Sequence, residues 1–144
     1  MPEQVRWKQR FCNFSRAFLR LRDALYEKEL EDFDELQQEG IVQRFEYTFE
    51  LFWKTLKDYL EQEGVAIEVI SPKYVISAAA SSKVLEHMGA DGELLLEMVR
   101  SRNLMSHTYD FDSFRTVLTK VKNEYFGQMD RAYTYFLKQD KLHE

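Results

Sequence analysis

Trp7, Phe11, Phe14, Phe18, Leu21 and Leu25 follow one another at alternating steps of four and three residues. That spacing returns to one side of an α-helix and scatters across both faces of a strand, so it predicts a helix from about Val5 to Leu30. A stripe so rich in aromatic side chains must be covered by other elements, and few Gly (5) or Pro (2) residues are present to build a turn-rich β protein. The expectation is an all-α, up-and-down helical bundle of about five helices, formed by residues 1–144 as one domain.

The remaining elements follow from the same period and from local stop signals. A second helix begins between Asp34 and Ile41 and runs to about Glu63, with Phe45, Phe49, Phe52 or Trp53, Leu56 and Leu60 inward. Gly64 supplies its left-handed stop. Val65 to Ile70 reads as a connector, since an extended run there has no second strand to pair with. Ser71 as cap and Pro72 at the first position start a third helix reaching about Leu85. Asp91 caps a fourth, from Glu93 to Met105. Asp112 caps a fifth, carrying Phe114, Val117 or Leu118, Val121, Tyr125, Met129, Tyr133 and Phe136 or Leu137.

Charge and targeting signals narrow the function classes. A formal net charge of -5 argues against a general nucleic-acid coat, so any nucleic acid must be met locally. The first ten residues lack the apolar core of a secretory signal, and no apolar run approaches the roughly 20 residues of a membrane span. A cytoplasmic protein with no membrane association is expected. Cys12 reads as a buried thiol acting as a small hydrophobe, and Asn13-Phe14-Ser15 as a chance match to a glycosylation acceptor. His87 and His143 stand isolated and nothing lies at metal-ligand spacing, so neither metal nor cofactor is expected.

Chemistry concentrates in Arg102-Asn103-Leu104-Met105-Ser106-His107-Thr108-Tyr109. The inward stripe of the fourth helix reads Leu95, Met98, Arg102, Met105, so a guanidinium occupies a core-facing position. It must meet a carboxylate such as Glu46 or Glu50, a set of carbonyls, or a ligand phosphate. At about 100° per residue, Tyr109 returns nearly to the face of Arg102, whereas His107 falls some 140° away. Either the helix ends near Ser106 and the chain turns His107 back, or Arg102 and His107 combine from different subunits. Glu46, Glu50, Lys54 and Asp58 form a polar row on the second helix, read as a solvated face laced with ion pairs or, alternatively, as the wall of a pocket.

The helix Phe45 to Leu60, with Phe45-Glu46-Tyr47 and Phe52-Trp53-Lys54, then Ser71-Pro72, Asp91-Gly92-Glu93 and the Arg-x4-His-x-Tyr segment, closely resembles the nucleotidyltransferase substrate-binding protein family of the HEPN superfamily. The resemblance spans roughly Arg10 to Leu137. It implies a homodimeric bundle that works beside a minimal nucleotidyltransferase protein, the partner that carries nucleotidyl transfer. It implies Arg102 and His107 as catalytic residues of a metal-independent endoribonuclease toxin, and Tyr109 as the tyrosine that the partner adenylylates. Asn103, with Glu46, Glu50 and Lys54, would support RNA or nucleotide binding. A non-catalytic subunit that binds the nucleotide substrate for the nucleotidyltransferase is the alternative implied by the same resemblance. A plain interaction module is a third.

Overall fold

The computed structural model describes residues 2–107 and 111–142, without the side chains of 3, 4, 106, 107 and 111. Helix α1 spans Glu3–Glu27, a 3-10 turn covers Leu30–Asp32, and α2 runs over Glu35–Gln62. Asp34 caps α2 in a reciprocal box with Gln37, each side chain accepting from the other's backbone N–H, at 2.7 and 2.9 Å. Two orphan amides are thereby satisfied at once. Gly40 lies inside α2, and Gly64 takes the left-handed φ of 89° that ends it.

Pairs of facing residues give the topology. Trp7 meets Tyr59, Arg10 meets Asp58 and Phe14 meets Phe52, so α1 and α2 are antiparallel. Helix α7, Phe126–Leu142, covers the same stripe of α1 from the other side, pairing Lys8 with Asp140, Phe11 with Phe136 and Phe18 with Phe126. Trp7, Phe14, Phe18, Phe45, Phe49, Phe52 and Phe136 are all fully buried in the resulting core. Edge-on and stacked rings fill it, including Trp7 against Tyr59 at 5.2 Å and Phe18 against Tyr133 at 4.7 Å.

The expected third helix is two helices. Helix α3, Pro72–Ser81, starts on the Ser71 cap with Pro72 in the first turn, but the chain breaks at Lys83, whose φ is 71°. A left-handed non-glycine residue is strained. It re-aims the chain so that α4, Val84–Met88, buries Val84, Leu85 and Met88, which a straight continuation would place on the side opposite the buried Val75, Ile76 and Ala79 of α3. Gly89 closes α4 with a second left-handed turn, and the Asp91 side chain accepts from the backbone of Glu93 and Leu94 to start α5, Gly92–His107.

The expected fifth helix is continuous but not uniform: α6, Phe111–Lys120, holds Asp112 inside its first turn and not at the expected cap, and passes through a π-helical turn, Val121–Tyr125, into α7. Its buried residues Val117, Val121, Tyr125 and Met129 recur every four positions. Each such step overshoots a full α-helical turn by about 40°, so three would carry the stripe roughly 120° off its face. The wider π turn absorbs the drift. This rod runs antiparallel to α5, with Arg131 donating to the Gly89 carbonyl, the Asp91 backbone N–H donating to Gln128 Oε1, and Lys120 Nζ donating to Glu97.

Two burial expectations are corrected. Cys12 is exposed, because Phe11 and Phe14 occupy the inward positions and leave residue 12 on the solvent side. Asp58 is not on a solvated face: α1 lies over it, it is 1 % exposed, and Arg10 Nε donates to it at 3.0 Å. Among the described residues, no helix is long and apolar enough to cross a membrane.

Candidate functional site

Arg102 lies on the penultimate turn of α5, its side chain 24 % exposed, facing the middle of α2. Its guanidinium donates to Glu50 Oε2 through Nη1, and through Nη2 to Asn103 Oδ1 at 3.3 Å. Glu50 also holds Lys54 at 3.8 Å, so one carboxylate on α2 bridges two cations. Glu46, one turn earlier, is half-buried: burial pushes its carboxyl above the ordinary range, and the Arg102 charge pulls it part of the way back. The polar row of α2 is therefore split by its neighbours. Glu46, Glu50 and Lys54 line the approach to Arg102, while Asp58 belongs to the α1 interface.

The structure thus brings together Arg102, Asn103, Glu46, Glu50 and Lys54 from the residues singled out in the sequence. Helix α5 continues through the backbone of His107. The side chain of His107 and the whole of Tyr109 lie outside the described residues. A guanidinium held on one side by a carboxylate is oriented, and in a half-buried setting its field is less screened than at an open surface. A guanidinium carries five N–H donors, so a phosphate can share it with Glu50 or displace that carboxylate.

A second polar system adjoins the first and escaped the sequence reading. Ser101, beside Arg102, hydrogen-bonds through Oγ to the Tyr125 hydroxyl at 2.8 Å. The phenol is fully buried, stacks on Phe45 at 5.6 Å, and also interacts with Glu97. Lys120 Nζ donates to Glu97 at 2.6 Å. Burial raises the Tyr125 hydroxyl above its usual range, whereas the Lys120 hydrogen bond lowers Glu97 and Glu97 in turn raises Lys120. The only warning in the sequence is the four-residue spacing that produces the π turn, because a Tyr on an apolar stripe otherwise reads as core.

Residues 9–138 match the protein family described as nucleotidyltransferase substrate binding protein like. No curated protein matches the sequence at a significant level.

Proposed function

The chain belongs to the nucleotidyltransferase substrate-binding protein-like family, and from that premise we propose that it is the HEPN-type subunit of a two-component system whose other member is a minimal nucleotidyltransferase, and that it cleaves RNA without metal until that partner silences it. The observation that carries this reading is Arg102, a guanidinium held half-buried and oriented by Glu50 on the turn of α5 that leads to His107. In this reading His107 takes the proton from a ribose 2′-hydroxyl as that oxygen attacks the adjacent phosphorus. The P–O5′ bond breaks to leave a 2′,3′-cyclic phosphate, and Arg102 offsets the charge gathering on the non-bridging oxygens. A homodimer supplies a second His107 to protonate the leaving oxygen. Adenylylation of the Tyr109 hydroxyl would add a phosphodiester and a purine beside this segment, competing with RNA by charge and by volume. The system is cytoplasmic.

One observation favours a second reading, a non-catalytic subunit that binds nucleotide for the nucleotidyltransferase: the family matched over residues 9–138 is described by substrate binding and not by cleavage. The test is RNA cleavage by the purified chain in EDTA. Wild type cuts, and Arg102→Ala and His107→Ala each lose activity while their helical circular dichroism persists. Cleavage retained in His107→Ala, or dependent on added metal, defeats the nuclease mechanism. Absence of cleavage together with Arg102-dependent nucleotide binding establishes the second reading.

A further inference from the structure

Helices α5 and α6 do not close on each other completely. A cleft of about 320 Å³ remains between them, walled by Ser101 and Leu104 from α5 and by Asp112, Thr116, Val117 and Lys120 from α6. That volume lies at the lower end of small-ligand sites, roughly 300–1,000 Å³. The wall contributed by α6 is ordered by its period: Asp112, Thr116 and Lys120 stand at steps of four along one side, an acidic residue at one end and a basic one at the other, with a backbone rise of about 12 Å between them. The Thr116 hydroxyl donates to the Asp112 carbonyl at 3.0 Å and keeps its lone pairs to accept from a ligand. Leu104, 46 % exposed, offers an apolar surface at the edge.

Two features separate this cleft from an ordinary surface groove. Its Ser101 and Lys120 are tied by hydrogen bonds to a fully buried phenol and to Glu97, so the polar groups on both walls are held from behind. The phenol reaches that position from the end of the π turn, a rare distortion that is found frequently at functional sites. Ser101 directly precedes Arg102 on α5, so the cleft lies about 100° round that helix from the guanidinium that meets Glu50.

We propose that the α5–α6 cleft seats one ribonucleotide of the substrate, the one flanking the phosphate at Arg102, with its own phosphate toward Lys120, its ribose hydroxyls on Asp112 and Thr116, and its base over Leu104. This rests on Arg102 as the phosphate contact of the proposed function and not on cleavage itself. A carboxylate that accepts from a ribose 2′-hydroxyl favours ribo- over deoxyribonucleotides, because the deoxy sugar lacks the donor.

The experiment is calorimetric titration of adenosine 5′-monophosphate, and of its 2′-deoxy form, into the full chain. Wild type binds the ribonucleotide saturably and the deoxy form about threefold or more weakly. Asp112→Asn narrows that difference, Lys120→Gln weakens both about tenfold, and Thr116→Trp, an exposed position where the fold tolerates the larger ring, blocks both. Circular dichroism of each variant verifies folding. Binding that is absent in wild type, or unchanged in both Thr116→Trp and Lys120→Gln, overturns the cleft whatever the nuclease assay gives. Cleft-dependent binding in a protein that never cuts RNA upholds the cleft and defeats the nuclease reading instead.

Discussion

The α1–α2–α7 core and the α2–α5–α6 junction are both built from amphipathic helices and share α2, yet they serve opposite ends. In the first, aromatic rings interlock and the polar atoms are few and shut away from solvent, some paired, as in the Tyr59–Tyr135 hydroxyls at 2.8 Å, and some, such as Trp7 Nε1, without an acceptor. In the second, charged and hydroxyl groups occupy inward positions and remain partly open to solvent, as Arg102 and Glu50 do. Burial stabilises one region. It orients the chemistry of the other, and the two should respond differently to the same kind of substitution.

The sharpest contrast comes from truncating a ring. Phe14→Ala removes a fully buried side chain at the α1–α2–α7 contact and is expected to cost about 3–5 kcal/mol, read as a lowered urea midpoint. Arg10→Ala leaves Asp58 buried beside Lys57 alone and should cost about 1–3 kcal/mol by the same measurement. A loss indistinguishable from that of the exposed Arg22→Ala would show that Asp58 finds water instead.

Tyr59 tests the closed polar pair. Burial first, then the Tyr135 hydrogen bond, push its phenol far above its usual range. The unfolded phenol ionises near pH 10, about the model-peptide value, while the folded one stays protonated. Stability from the neutral phenol is therefore intact below pH 10 and falls as pH rises beyond it. Melting curves between pH 8 and 11 should show a steeper alkaline decline in wild type than in Tyr59→Phe; equal slopes would break the assignment.

At the junction the effects on stability are small. Arg102→Ala should cost no more than about 1 kcal/mol, because both it and Glu50 reach solvent, even where activity is lost. Glu46→Gln has the opposite sign. A carboxyl raised by burial destabilises the fold once pH climbs above the unfolded value near 4.5, so the amide should raise the melting temperature slightly at pH 7 and leave it unchanged near pH 3.5. A drop at pH 7 would mean that Arg102 depends on Glu46 as well as on Glu50.

Periodicity made the all-α class legible, because a stripe such as Trp7 to Leu25 has one way to be buried. Local stereochemistry made the caps at Ser71 and Asp91 and the stop at Gly64 legible, since each depends on atoms within a few residues. The inward Arg102 and its partnership with an acidic residue of the second helix were also readable, as an apolar stripe interrupted by a cation demands a compensating charge.

Everything that depends on what lies opposite came from the tertiary structure. Asp58 is buried because α1 crosses it, Cys12 is exposed because two phenylalanines outcompete it for the inner face, and Glu50 rather than Glu46 takes the direct hydrogen bond from Arg102. Lys83 bends left-handed only because Val84, Leu85 and Met88 then reach the core. The Ser101–Tyr125–Glu97–Lys120 network joins residues from two helices through a π turn. A sequence specifies the face each helix offers; the partner on that face is fixed by packing among helices distant in the chain, where one ångström decides whether two groups bond.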